Sequence, residues 1–403
     1  MVAFLPAVPG RLADVPSFAR AIGGAESNVA CVLAAAGHRT RWVSRIGADG
    51  FGDHLLAAVR AYGVDVASVT RDPARPTGIY FRTAGDRATD AHEVAYYRAG
   101  SAASAMTAAN VDLAAARATR VLHLTGITAA LSAGCLGLLR ALTAPGPGRP
   151  LVSFDVNHRP GLWRAGGPGG PGSGGAEAAE VLLGLARAAD LVFVGEDEAQ
   201  ALWGLEGAEA VRAALPEPAV LVVKQGARGA TAFEAGGGGA DADGAGAGGD
   251  GAGAERGSAR PGSGDDRGRV APGPGPDRVT YVPAPRVDVV AAVGAGDAFA
   301  AGFLSATLRG LPARDRLRHG HLAAAAALTA PGDLAAPPDR AHADRLAALD
   351  DPAWGRLRLG PGWSRTADHA TAAAGTDPDA AGTGPDAAGA ARAASTQEEV
   401  PTP

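Results

Sequence analysis

Val287-Asp288-Val289-Val290-Ala291-Ala292-Val293-Gly294-Ala295-Gly296-Asp297-Ala298-Phe299-Ala300-Ala301-Gly302-Phe303 is the stretch whose reading decides the rest of the chain. An extended Val-rich run breaks at Gly294-Ala295-Gly296 and resumes as small and apolar residues at helical spacing, so the glycines mark where a helix begins. The first N–H groups of a helix lack intrahelical partners and sit at the positive end of its dipole, which suits a phosphate or a developing oxyanion. Asp297 adds a carboxylate in the first turn. Such a carboxylate is poorly placed to bind the anion itself and well placed to take a proton from a hydroxyl that attacks a phosphoryl group. The plainer reading is a glycine turn with a helix-capping Asp, and only the remainder of the chain separates the two.

Working outward, a chain of 403 residues with 46% hydrophobic content can bury one large core or two modest ones. Its net charge of −5 gives no electrostatic reason to bind nucleic acid or an anionic membrane. No apolar run approaches the ~20 residues of a membrane span and no basic-then-apolar segment opens the chain, so a soluble, cytoplasmic protein is expected. Cys31 and Cys135 lie among small apolar residues without a C-x-x-C partner and read as buried thiols. Lys224 is the chain's only lysine against a background of arginine. A compact ammonium suits a phosphate as a point charge, and chance retention explains it equally well.

Upstream, Met1-Val2-Ala3-Phe4-Leu5-Pro6 reads as the end of a buried strand. Gly23-Gly24 precede a helix carrying Val29, Val32 and Leu33, with Glu26 and Asn28 at its mouth; Ser27 or Asn28 could simply cap it. A strand over 41–46, a helix to Tyr62 and a strand over 64–69 set up an alternation that implies parallel strands with crossover helices. Residues 76–98 break it with a hairpin around Gly85-Asp86, which suggests a small β lid. Tyr80, Tyr96 and Arg98 then face a cleft or pair across the strands. The alternation resumes in strands over 121–124, 151–157, 190–194 and 220–223. Asn157-His158-Arg159 falls at a strand's carboxyl end, where ligands gather in open α/β sheets, so Arg159 is a candidate anion ligand. Residues 166–175 form a Gly/Pro-rich insert, and 235–277 have too few aliphatic side chains to offset ordering entropy, reading as a disordered hairpin tip. Beyond Pro352 a flexible tail is expected.

Together these motifs resemble the ribokinase-like (PfkB) carbohydrate kinases, in the same order over roughly residues 1–346 apart from the inserts. Gly23-Gly24-Ala25-Glu26-Ser27-Asn28-Val29-Ala30 is similar to the family's sugar-side signature, and Val293-Gly294-Ala295-Gly296-Asp297-Ala298-Phe299 to its catalytic signature. Three further stretches resemble the branch that acts on 2-dehydro-3-deoxygluconate, although related keto-sugar kinases share parts of them. They are Tyr96-Tyr97-Arg98-Ala99-Gly100-Ser101-Ala102, Leu124-Thr125-Gly126-Ile127-Thr128, and Asp155-Val156-Asn157-His158-Arg159 followed by Leu162-Trp163.

The resemblance implies an α/β fold: a ribokinase-like three-layer sandwich with a central, mostly parallel sheet and a small β lid. It implies a kinase domain over 1–351, lid segments at about 10–23 and 76–100, the disordered insert 235–277 and a disordered tail over 352–403. ATP and Mg²⁺ are the implied cofactors and a sugar acid the implied phosphoryl acceptor; the alternatives are fructokinase-like chemistry or a non-catalytic sugar-acid-binding paralogue. Asp297 would be the base, with Gly294, Ala295 and Gly296 as the anion hole. Gly24, Asn28, Tyr80, Tyr96, Arg98, Ile127 and Arg159 would hold the sugar acid, with Asp333 near the same pocket. The nucleotide would lie along Asn157, Lys224, Gly226, Gly229 and His321, and Glu198 would reach the metal through water. An exposed β lid would also offer a surface to a second copy of the chain.

Three departures stand out. The family arrives at the position of Met1 through a half-strand carrying Gly-Glu, so an incomplete central strand, and residues upstream of Met1, are expected. Gly195-Glu196-Asp197-Glu198 keeps the acid of the family's Asn-x-x-Glu but not its amide, and His321 stands where relatives often place Asn near the adenine.

Overall fold

A computed structural model describes residues 1–83, 94–164, 174–236 and 275–364, all within one packed unit, Met1–Ser364. The first third contains β1 (Val2–Pro6), β2 (Phe18–Ile22), α1 (Ala25–Ala35), β3 (Ser44–Gly47), α2 (Gly50–Ala61), β4 (Val69–Asp72), β5 (Ile79–Arg82) and β6 (Val94–Tyr97). Strands β2, β1, β5 and β6 hydrogen-bond in that order as the lid. β1 pairs antiparallel with β2, from Val2↔Ile22 to Pro6↔Phe18, and parallel with β5, from Val2↔Ile79 to Phe4↔Phe81.

One expectation is thereby corrected: Val2–Pro6 is an inner strand of the lid rather than half of a central strand, with β2, from the lid segment expected at about 10–23, on its outer side. The cause is aromatic packing: Phe4 stacks on Phe81 at 4.7 Å between ring centroids, and Phe18 meets Phe81 edge-on at 5.1 Å. β3 and β4 form a separate parallel pair displaced a few residues from the predicted strands, because Arg41 and Asp65 make only an isolated bridge closed by their own ion pair at 2.8 Å.

Next come α3 (Leu113–Arg117), β7 (Val121–Thr125), α4 (Gly126–Ala129), α5 (Ala133–Thr143), β8 (Leu151–Asp155), α6 (Pro160–Arg164), α7 (Gly174–Arg187), β9 (Leu191–Gly195), α8 (Glu196–Trp203), α9 (Ala208–Ala214), β10 (Val220–Lys224) and β11 (Gly229–Gly236). The chain then runs through β12 (Gly275–Pro283), β13 (Arg286–Val287), α10 (Ala295–Leu308), α11 (Ala313–Leu328), α12 (Arg340–Ala347), α13 (Asp351–Gly355) and β14 (Arg358–Leu359). The central sheet has the order β12-β11-β10-β9-β8-β7, with β7 to β10 parallel and the two β-hairpin strands antiparallel.

The period-two alternation of a strand puts helices on both faces of this sheet. On β9, Val192 and Val194 join the core of Leu139 from α5 and Leu182 from α7, whereas Leu191 and Phe193 join that of Phe299, Phe303 and Leu304 from α10. Phe193 meets Phe303 edge-on at 5.4 Å. The result is the three-layer, mostly parallel sandwich expected from the sequence.

Three local readings change. The Val-rich run before Gly294 is strand only at Arg286–Val287; beyond it Val290 N and Ala291 N donate to Leu328 O at 2.7 and 3.2 Å, so the run becomes a loop tied to the end of α11. The flexible tail expected from 352 is instead regular structure over its first residues, where α13 lies and β14 pairs with β13. Trp354 anchors it, buried, with its indole N–H on Pro283 O at 2.8 Å and the Arg318 guanidinium 4.6 Å over the ring. One large aromatic supplies apolar burial that the average composition of the stretch conceals. The insert 235–277 keeps β-ladder pairing at both ends, including Gly236↔Gly275; residues 237–274 lie outside the described ones, as do the turn at Gly85-Asp86, residues 165–173 and residues 365–403. Among the described residues no helix is long and apolar enough to cross a membrane.

Candidate active site

A cavity of about 1090 Å³ opens between the lid and the carboxyl ends of the central strands, and every candidate residue named from the sequence lines it. At its floor α10 begins as expected. Gly294 is the N-cap with φ of +79°, a left-handed conformation that a side chain resists, and a Cβ there would overlap the Asp333 carbonyl. The first amide of this turn with a backbone partner is that of Ala298, which donates to Gly294 O at 2.9 Å. The amides of Ala295, Gly296 and Asp297 have no acceptor among the described residues and face the cavity with the helix dipole behind them.

Asp297 does not cap its helix. Its Oδ2 accepts from Asn28 Nδ2 at 2.9 Å and its Oδ1 from Asn157 Nδ2 at 3.4 Å, so the two signatures and a strand end converge on one carboxylate. Burial pushes the Asp297 carboxyl up to about 6, against the Asn28 hydrogen bond. Asn28 is likewise not a cap; it lines the cavity, and its Oδ1 is buried without a partner. Asn157 holds a φ of +41°, the one non-glycine residue at positive φ among the described ones, and such backbone strain concentrates at functional sites.

Lys224 meets a partner that the sequence did not disclose. Its Nζ donates to Asp155 Oδ1 at 3.0 Å and Oδ2 at 2.9 Å, bridging the ends of β8 and β10 across the end of β9. Asp155 is 1% exposed. Burial alone would lower the Lys224 pKa, but the charges of Asp155 and Glu198 outweigh it and the net shift is upward. A Cβ on Gly296 would sit 3.7 Å from Lys224 Nζ, so the ion pair lies directly beneath the candidate anion hole. Glu198 sits beside it: Oε1 accepts from His158 N at 2.9 Å and Oε2 from Gly195 N at 2.8 Å, and burial raises its carboxyl despite Lys224.

At the lid end, Tyr80 and Tyr96 are cross-strand partners, rings 5.6 Å apart, and also line the cavity, so both readings of the hairpin aromatics hold. The Tyr80 hydroxyl donates to Asp333 Oδ2, and burial followed by that carboxylate's charge raises its pKa. Arg98 lies 4.2 Å over the Tyr96 ring and 4.0 Å from the Met1 sulfur. No carboxylate pairs with it among the described residues, its Nε is buried without a hydrogen bond, and burial and then the Arg159 charge lower its pKa. Arg159 donates to His158 O at 2.9 Å and keeps only a 3.8 Å contact with Glu198. Ile127 enters on short α4, held in place by a residue the sequence named only as polar: Glu26 Oε1 accepts from Thr125 at 3.1 Å and Thr128 at 2.5 Å.

The opposite end is apolar, walled by Val287, Val289, Val293 and Leu328, with Gly226 in the turn that joins β10 to β11 and Gly229 opening β11. His321 lies there as a buried neutral imidazole: Nε2 bonds Val282 O at 3.1 Å, and burial lowers its pKa to about 4. The arrangement can seat a planar apolar group, a chain of anionic groups over the α10 amides, and a polar anionic molecule under the lid.

Known proteins match this geometry. The model of the pfkB family carbohydrate kinases matches residues 1–245 and 275–340. A 2-dehydro-3-deoxygluconokinase of Bacillus subtilis (strain 168) is 31% identical over 333 residues, 82% of this chain and 88% of that protein. Fructokinase-1 of Oryza sativa subsp. japonica is 32% identical over 210 residues, 52% of this chain and 62% of its own length. A sugar kinase from Pyrococcus horikoshii, solved in complex with ATP, superposes with a TM-score of 0.64 at 21% identity, covering 85% of this chain and 94% of that one. A family match over most of the chain, a ribokinase-like sandwich, and two glycine signatures meeting at Asp297 lead to one conclusion: the chain belongs to the pfkB family of carbohydrate kinases, enzymes that phosphorylate sugars.

Proposed function

We propose that the chain transfers the γ-phosphoryl group of ATP to the 6-hydroxyl of 2-dehydro-3-deoxy-D-gluconate, giving the 6-phosphate and ADP. The observation that carries the substrate class is Arg98: a desolvated guanidinium beside a second one, Arg159, with no carboxylate of the protein between them. A sugar acid supplies that carboxylate, whereas a neutral ketose leaves Arg98 uncompensated.

In this reading Asp297 accepts the proton of the 6-hydroxyl as its oxygen bonds to phosphorus and the bond to the ADP oxygen breaks. Asn28 and Asn157 hold the carboxylate's two oxygens in place, and the amides at Gly294–Gly296 receive the charge that develops on the phosphoryl group. Mg²⁺, when bound, neutralises phosphate charge. Among the described residues no group of three or more His, Cys, Asp or Glu could hold a metal by itself; Glu198, which lines the cavity, would hold the ion through its water shell.

Initial rates with ATP and Mg²⁺ over a panel of sugar acids and neutral ketoses test this, run in parallel on Asp297→Asn. The sugar acid should be preferred in kcat/KM, and Asp297→Asn should lose roughly 10²–10⁴-fold in turnover with little change in KM. Equal use of fructose would turn the reading to a fructokinase, and near-normal turnover of Asp297→Asn would remove that residue from the mechanism.

A further inference from the structure

Lid strand β5 sends two side chains the same way, Tyr80 and Arg82, each 4% exposed, and both end on the loop after α11. Arg82 Nη2 donates to Pro331 O at 3.0 Å, and its Nε lies 3.1 Å from Asp333 Oδ1, an ion pair whose atoms are not aligned as a hydrogen bond. Tyr80 takes the other oxygen, Asp333 Oδ2. The same Asp333 meets the candidate anion hole with its main chain: its carbonyl packs so closely against Gly294 that a Cβ there has no room. A Cβ on Gly23 would likewise overlap the Tyr80 hydroxyl, so the glycine of the sugar-side signature gives this contact its space. One residue therefore touches the lid by its carboxylate and the start of α10 by its backbone.

We propose that Arg82 is a positioning residue for phosphoryl transfer: by holding the Pro331 carbonyl and the Asp333 carboxylate to the lid strand, it fixes the Asp333 main chain against Gly294 and so the aim of the Gly294–Gly296 amides. This rests on the reading of those amides as the anion hole. Three properties support it. Arg82 is buried and its guanidinium reaches two points of one loop, a geometry a planar fork satisfies and a single ammonium does not. The loop has no regular structure of its own through 331–336, so its course depends on such contacts. Amide donors act on a transition state only when their position is set in advance, and displacement by about 1 Å can cost on the order of a hundredfold.

The test uses the full chain with Arg82→Met and Arg82→Lys. Both should lower kcat, Arg82→Met by roughly 10–100-fold and Arg82→Lys by less, because an ammonium recovers one of the two contacts. KM for sugar and ATP should stay within about threefold, since the loss falls on the transition state. Binding of ADP with aluminium fluoride, measured by calorimetry, should weaken by the same factor as kcat while binding of ADP alone is unchanged. An increase in sugar KM at constant kcat would show that Arg82 serves the sugar or the lid alone, and parallel losses of ADP and ADP–aluminium fluoride affinity would show a general loosening; either overturns the proposal. If Arg82→Met does not fold, Arg82→Lys decides. Asp297→Asn separates the two readings: activity in that variant undermines the site, whereas an inactive Asp297→Asn beside a normal Arg82→Lys and Arg82→Met undermines only the role of Arg82.

Discussion

Lys224 and Arg98 are cations lining the same cavity, and the fold treats them in opposite ways. Lys224 is bound through both oxygens of a buried carboxylate, Asp155, and its pKa rises. Arg98 has an aromatic ring and a sulfur beside it, an unpartnered buried Nε, and a pKa pushed down. A cation neutralised from within belongs to the frame, tying strand ends together beneath the α10 amides. A cation desolvated without a partner costs the free protein stability, and the cost is offset when an anion arrives. Position in the cavity does not distinguish the two residues; their partners do.

The sharpest way to break the comparison is to remove the internal partner. Lys224→Met leaves Asp155 charged and buried, which should destabilise the fold by about 3–5 kcal/mol in urea unfolding. Lys224→Met with Asp155→Leu should regain most of that, because replacing both members of a buried pair by apolar groups is often nearly neutral. A single variant as stable as the parent would show that the pair contributes nothing to the frame.

Arg98→Met should do the reverse. Stability should hold or rise, as no protein carboxylate is orphaned, while KM for the sugar acid rises by about 2–3 kcal/mol, on the order of a hundredfold. Fructose, with no carboxylate to lose, should be affected far less. Equal effects on both substrates would place Arg98 with Lys224, as part of the frame.

Much of this site was legible in the sequence because its parts are local. A glycine pair ahead of a helix and a polar triplet at a strand end are read within a few residues, and Gly24, Asn28, Asn157 and Gly294–Asp297 all face the cavity. What joins the parts was not legible. Asn28 and Asp297 are 269 residues apart, Arg82 and Pro331 are 249, and Lys224 and Asp155 are 69 with a strand between them, so each contact depends on strand order and lid placement rather than on local pattern. The placement of β1 turned on the Phe4–Phe81 stack, and the packing of residues 351–359 on Trp354; single aromatics outweighed the composition around them.

The smallest expected effect separates the two cations by a different route, through the pH dependence of Asp297. Burial, with a smaller push from the Asp155 charge, raises that carboxyl from 3.8 to about 6, while Asn28, Lys224 and Arg159 oppose the rise. Asp297, as the proposed base, would work only when ionised, so kcat/KM should fall about tenfold per unit as the pH drops below 6 and level off above it. The sign for folding is opposite. Between 3.8 and about 6 the unfolded chain releases this proton while the folded chain retains it, so the Asp297 contribution to stability is greatest at low pH and declines as pH rises through that window. The inflection should then respond to the frame and not to Arg98. Asp155→Asn removes the charge that raises it and leaves Lys224 uncompensated, moving it to lower pH; Lys224→Met removes a charge that lowers it, moving it to higher pH; Arg98→Met should leave it in place. An inflection that moves with Arg98→Met and ignores Asp155→Asn would mean that the base is coupled to the substrate-binding cation rather than to the buried pair beneath it, and the division between frame and site would have to be drawn elsewhere.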